Sequence, residues 1–148
     1  MFKHILLPTD GSSVSMKAVK RGIDFAKSID ARVTALFVTL PYRQVMAEGY
    51  ILPGSKLLEK RYTEEVTQQA RKVLGAVEAL AKRAGVPCKT VHVGAYAPYE
   101  AIVSGARRAK CDLIMMGSHG RGGLQTLLLG SETNKVLSHS RIPVLVYR

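Results

Sequence analysis

The stretch Gly117-Ser118-His119-Gly120-Arg121-Gly122-Gly123, closed by Gly130-Ser131, has the residue types and spacing best suited to chemistry. Before it lies a short apolar run, Leu113-Ile114-Met115-Met116, that reads as a buried strand; after it, Glu132-Thr133-Asn134-Lys135-Val136-Leu137 reads as a helix start. Where a strand runs into glycines and then a helix N-terminus, backbone N–H groups can face an anion, most often a phosphate. Glycine suits such a loop because a side chain would block close approach and because turns can need φ > 0. Gly117, Gly120, Gly130 and Ser131 are therefore candidate phosphate contacts, with Glu132 and Thr133 in the first helical turn beside them. Arg121 could reach a phosphate with its fork of donors; it could equally stand solvated in the loop.

A second candidate segment is Pro8-Thr9-Asp10-Gly11-Ser12-Ser13. Asp10, at a strand end, suits ribose hydroxyls or a metal, and equally suits capping the helix that follows. His119 has no carboxylate or nucleophile near it in sequence and reads as an exposed loop histidine at the border of the site, not as a catalyst. His4, His92 and His139 show no metal-ligand spacing and read as structural or exposed. The Walker pattern GxxxxGK[ST] is absent, and no lysine follows the glycines. Nor do paired carboxylates or a Ser/His/Asp order point to hydrolysis. The first loop also differs from the SGGxDS loop of ATP pyrophosphatases.

Elements able to position these segments alternate along the chain. Phe2 to Leu7 reads as a first strand; Ser12, Ser13 and Ser15 offer caps for a helix carrying Met16, Val19, Ile23 and Ala26 at helical spacing. Arg32 to Leu40 reads as a second strand and Pro41 to Lys56, with Pro41, Gly49, Pro53 and Gly54, as a loop. A long helix is predicted over Ser55 to Ala84, stopped by Gly85-Val86-Pro87. A strand at Cys88 to Val93 and a helix at Ala97 to Ala109 follow, the helix packing through Ala101, Ile102, Gly105 and Ala106. The last three elements are a strand at Asp112 to Met116, a helix at Ser131 to Ser138, and a strand at Ile142 to Tyr147 whose Pro143 suits an edge.

Repeated strand–helix–strand units with near-continuous apolar strands predict an α/β fold: a single open, parallel five-stranded sheet covered by helices on both faces, Rossmann-like, as one domain over residues 1–148. In such sheets ligands bind beyond the C-terminal ends of strands, where the strand order reverses. With the order 3-2-1-4-5, that crevice lies between the first and fourth strands, so the loops Pro8 to Ser13 and Gly117 to Ser131 converge there. No internal repeat, linker or low-complexity segment is evident in the sequence.

Composition bounds the rest. The hydrophobic fraction of 47% and charged fraction of 22% are those of an ordinary globular protein, and no apolar run approaches a membrane span. Ile5-Leu6-Leu7 stops at Pro8, too short for a signal h-region, which predicts a cytoplasmic protein and no membrane partner. Cys88 and Cys111 have no metal-like spacing and read as small buried residues. A formal net charge of +11 favours polyanions, nucleic acid among them. Yet the basic residues are scattered, without a long run or interleaved aromatics, so they read as a solvated surface more than as a dedicated nucleic-acid surface.

With the glycine pattern placed after the fourth strand, the chain resembles the universal stress protein family, whose nucleotide-binding branch carries G-x2-G-x9-G-[S/T] there. Gly117, Gly120, Gly130 and Ser131 match that spacing in full, Ile5-Leu6-Leu7-Pro8-Thr9-Asp10-Gly11-Ser12 resembles the family's opening strand and acidic loop, and Ser140-Arg141-Ile142-Pro143-Val144-Leu145-Val146 its last strand. The resemblance implies an ATP-binding regulatory protein of a stress response, with magnesium on the nucleotide and at most weak ATPase activity, dimerising through Ile142 to Tyr147. By the same resemblance Asp10, after Pro8 and Thr9, lies near ribose and phosphates; backbone at Val38 meets the adenine; Met116 and Gly117 border the sugar and phosphates; Gly120, Gly130 and Ser131 cradle the phosphates. Glu132 departs from the small or apolar residue often found after the Ser or Thr. A carboxylate suits a helix N-terminus but would repel a terminal phosphate if it pointed inward; the expected arrangement is that it faces solvent and leaves binding intact. The other functional class is a basic interaction protein that binds nucleic acid or an acidic protein partner without bound nucleotide.

Overall fold

The computed structural model describes residues 1–43, 56–119 and 129–148. Its strands are β1 (His4–Pro8), β2 (Arg32–Thr39), β3 (Cys88–Gly94), β4 (Leu113–Gly117) and β5 (Val144–Tyr147); its helices are α1 (Ser13–Ser28), α2 (Lys56–Ala84), α3 (Pro98–Arg108) and α4 (Ser131–His139). All neighbouring strands pair in parallel, in the order β3-β2-β1-β4-β5. The chain steps outward from β1 to β3, then returns through α3 to β4 on the other side of β1. Because crossovers are right-handed, that reversal sends α3 and α4 to the opposite face from α1 and α2.

Strand alternation divides the core accordingly. Ile5, Leu7, Val33, Ala35 and Phe37 face α1 and α2, where they meet Val19, Ile23, Val73 and Val77. Leu6, Leu36, Ile114 and Met116 face α3 and α4, where they meet Ile102, Val103, Ala106 and Val136. β1 and β4 are buried throughout, which is why their sequences are unbroken apolar runs. β3 is different. The expectation of strands covered on both faces fails there: Lys89, Thr90, Val91 and His92 are exposed, because β3 is an edge and polar side chains are tolerated on it. β5 occupies the other edge, as Pro143 suggests. Most of the loop predicted over Pro41 to Lys56 lies outside the described residues, and its last residue already opens α2.

Three helices end in the same way. The N–H groups of Ala31, Val86 and Cys111 reach back to the carbonyls of Ala26, Ala81 and Ala106, and those of Asp30, Gly85 and Lys110 to Lys27, Lys82 and Arg107. This is the Schellman arrangement, in which the residue just past the helix takes positive φ. Asp30, Gly85 and Lys110 have φ of 54°, 74° and 56°. In each motif both apolar partners are buried, Ala26, Ala81 and Ala106 completely. The segments Ala26–Ala31, Ala81–Val86 and Ala106–Cys111 therefore form a short structural repeat that the sequence alone does not reveal. Cys88 and Cys111 are free; burial pushes the Cys111 thiol up to about 11, so it acts as a packing residue.

Candidate functional site

The topological reversal leaves a cavity of about 340 Å³ beyond the C-terminal ends of β1 and β4. Pro8, Thr9, Asp10, Val38, Met116, Gly117, His119, Gly130, Ser131, Glu132 and Thr133 all line it. Residues separated by more than a hundred positions thus meet in one place. Gly120 and Arg121, the remaining candidates, lie outside the described residues. Four wall residues were missed: Ser15, Leu36, Pro98 and Ile102. Leu36 and Ile102 read only as core positions, and Ser15 only as a cap; nothing local in the sequence tells a core residue at a strand end from one lining a crevice.

Hydrogen bonds hold the first loop firmly. Asp10 Oδ1 accepts the Ser12 N–H at 2.9 Å and the Ser15 hydroxyl at 2.8 Å. Ser12 caps α1, its hydroxyl oxygen accepting the Ser15 N–H at 3.2 Å. Thr9 is buried; its hydroxyl lies 2.8 Å from that of Ser15 and accepts the Gly11 N–H at 3.1 Å. Gly11 takes φ 78°, which lets the chain turn sharply there. Of the two sequence roles for Asp10, organising the start of α1 is thus realised by Oδ1, while the residue also faces the cavity.

Across the cavity, β4 leads towards the start of α4. A side chain at Gly117 would meet Val14 within 3.2 Å. The Gly130 N–H donates to Ser118 O at 2.7 Å, and a Cβ on Gly130 would lie 3.0 Å from His119 Cα. Glycine is required there because two backbone segments touch. Thr133, buried, donates its hydroxyl to Gly117 O at 3.1 Å and so ties the first turn of α4 to the end of β4. His119 is half-buried, with Nδ1 3.0 Å from the hydroxyl of Ser118, itself a buried residue. Among the described residues no cluster of three metal-ligating side chains occurs.

Three helix N-termini border the cavity: that of α1 is capped by Ser12, and those of α3 and α4 differ from each other. The N-cap residue of α3 is Ala97, which offers no side-chain acceptor, with Pro98 at the start of the helix. Its Tyr99 N–H is instead satisfied by Glu132 Oε2 at 2.9 Å, reaching across from α4. Glu132 Oε1 accepts from the Lys135 ammonium at 3.0 Å. The expectation that Glu132 faces solvent is therefore corrected: the side chain is half-buried, and its carboxylate joins the two helices and caps α3. Among the described residues, no side chain caps the N-terminus of α4 in this way. Gly130, its N-cap residue, has no side chain, and the first N–H groups of any α-helix have no partner within the helix. They are the natural donors for an anion, reinforced by the helix dipole.

The comparisons with known proteins agree with this geometry. A family model described as the universal stress protein family matches residues 1–148. The chain belongs to the universal stress protein family. One relative, the universal stress protein MJ0531 of Methanocaldococcus jannaschii, is 36% identical over 150 residues, covering 100% of this chain and 83% of the relative. The solved structure of MJ0577, from the same organism, superposes with a TM-score of 0.82 at 31% identity and covers 99% of this chain and 95% of that one. A universal stress protein solved in complex with cAMP shares the fold, with a TM-score of 0.68 at 24% identity, covering 99% and 97% of the two chains. The family explains the order of the elements; the contact between Glu132 and Tyr99 is read from this chain's own side chains.

Proposed function

We propose that the crevice binds an adenine nucleotide, ATP carrying magnesium, and that the protein is a nucleotide-binding regulator of a stress response. The observation that carries this reading is the contrast between the helix N-termini. The start of α3 is capped from within the fold by Glu132, whereas α4 begins in the cavity at Gly130, and among the described residues no side chain caps its first N–H groups. Leu36, Val38, Ile102 and Met116 supply an apolar wall for a flat base. Asp10, Gly117, Gly130 and Ser131 supply polar groups and open backbone for ribose and phosphates. Thr133 is a positioning residue, its hydroxyl being given to Gly117 O. Pro8 and Thr9 set the position of Asp10, and His119 and Glu132 form the rim. The relative solved with cAMP supports an adenine ligand for this fold.

Binding rather than rapid turnover fits the site. The Ser118 hydroxyl beside His119 belongs to a buried residue, and Asp10 Oδ1 is occupied by two donors. Hydrolysis is accordingly slow or absent in this reading, with metal on the phosphates next to Asp10. The proposed molecule is a homodimer formed through β5 and acts in the cytoplasm. Calorimetric titration with ATP and magnesium at physiological salt tests the nucleotide reading. Saturable binding is expected; absence of heat from folded, nucleotide-free protein would overturn it.

A further inference from the structure

The basic residues that are scattered in sequence are gathered by the fold at the end opposite the crevice. In a parallel sheet every strand begins, and every crossover helix finishes, at that end. The three Schellman motifs place Lys27, Lys82 and Arg107 at the same helical position, and Arg83 and Arg108 follow the last two. Strand starts add Lys3, Arg32 and Lys89. All are exposed, and neither ion pair found among the described residues involves any of them. The acids of this end are Asp30 and Asp112, and Asp112 is already committed: its carboxylate accepts the Lys3 N–H at 2.8 Å and the His4 N–H at 3.0 Å. Asp24 and Glu78 lie about one turn further up α1 and α2.

Cations in the last turn of a helix are favourable without any partner, because they complement the dipole. That explains Lys27, Lys82, Arg83, Arg107 and Arg108, but not the strand starts and not Lys110. Lys110 holds φ 56°, at the position that Gly85 fills after α2 with φ 74°. A left-handed backbone is unfavourable for a side chain of this kind, and glycine relieves it. The exposed lysine therefore stands where the fold itself would be better served by glycine, which points to a use for its charge.

We propose that this end binds duplex nucleic acid through the phosphate backbone, without reading base sequence. The charge is spread over the ends of three helices and the starts of three strands, as a repeated phosphate array requires, not concentrated in one pocket for a single anion. Of the large apolar side chains exposed among the described residues, Leu57, Leu58 and Tyr96 are near the crevice end and Val91 is on the β3 edge; Met1, Leu137 late in α4 and Leu145 early in β5 lie towards the basic end, and none of these three is aromatic. Exposed aromatic platforms on which single-stranded bases could stack are thus lacking in the described part of this surface.

The test is fluorescence anisotropy with a labelled mixed-sequence DNA duplex over a series of salt concentrations. Binding should weaken steeply with salt, and Arg108→Gln and Lys110→Gly should each weaken it several-fold and lower the logarithmic salt slope by about 1. Lys110→Gly should at the same time raise the melting temperature, separating lost binding from lost folding. Lys72→Gln, at mid-α2, should leave the affinity within about twofold, as should saturating ATP, because the crevice lies at the other end. The proposal is overturned by absence of salt-sensitive duplex binding at low salt, by affinity unchanged in the Arg108 and Lys110 variants, or by retention on phosphatidylserine vesicles without retention on the duplex.

Discussion

Glu132 sits three positions before Lys135 and thirty-three after Tyr99, and its carboxylate holds both, at 3.0 Å and 2.9 Å. The nearer partner could be guessed from helical spacing; the farther one, which decides where the carboxylate points, could not. Removing it in Glu132→Ala should cost about 1 kcal/mol, the usual value of a lost helix cap, read as a fall of a few degrees in melting temperature. Glu132→Gln keeps an acceptor for the Tyr99 N–H and should recover most of that loss. His4 offers a pH prediction. Its ring lies buried with Nε2 2.8 Å from the Thr34 hydroxyl, and burial, helped by the Arg32 charge, holds its pKa below the ordinary 6.5 against the pull of Asp112. The unfolded chain therefore binds a proton more readily than the folded one, so stability is full above pH 6.5 and falls as pH drops through that value towards the folded pKa. Melting curves from about pH 7.5 to about pH 5, roughly the range in which histidine titrates, should show the decline, and His4→Gln should flatten it. Asp112 acts lower on the scale. Burial pushes its pKa up, but N–H bonds from His4 and Lys3 outweigh that and leave it below 3.8, so its contribution is present above 3.8 and disappears as pH falls through the folded value.

At the scale of elements, the join between the end of β4 and the start of α4 is the most constrained. Gly130 meets Ser118 and His119 backbone, and Thr133 is bonded to Gly117 O. Gly130→Val must push the segments apart, because the atoms in its way are backbone and cannot rotate aside. Affinity for ATP should fall at least about tenfold while the circular dichroism spectrum is retained, since a displaced donor loses a charge-assisted bond but the sheet is untouched. Unchanged affinity would remove Gly130 from the site. Helix and strand positions were legible because periodicity, glycine stops and serine caps are local signals, and the observed bounds differ from the expected ones by a residue or two. The exposure of β3 was less legible. Cys88 to Val93 reads as a strand in the sequence, but that its Lys89, Thr90 and His92 stand exposed on an edge follows only from the strand order.

At the scale of the whole molecule, both sheet edges carry uncovered apolar groups. On β5, Leu145 is 38% exposed and Val144, Val146 and Tyr147 are half-buried. An uncovered edge of that composition invites pairing with a second copy. Light scattering at micromolar concentration should give twice the chain mass of 16.1 kDa; a monomer would rule out pairing through β5 at that concentration. The two ends of the sheet also differ in kind. One carries the cavity with the glycines and Asp10, the other the clustered cations, and a single topological rule separates them: strands in parallel put all their starts on one side.

By itself the sequence determined the succession of strands and helices, the apolar faces, the turn at Asp10-Gly11-Ser12 and the glycines that border α4. Each is written within a few neighbouring residues, where backbone sterics and side-chain periodicity act directly. Tertiary structure alone decided that Ser15, Leu36, Pro98 and Ile102 join the walls of the cavity, that Glu132 caps α3, and that lysines and arginines from separate segments crowd one end. Those relations depend on the order in which strands lie side by side, and that order is set by packing between segments far apart in the chain, not by any short stretch of it.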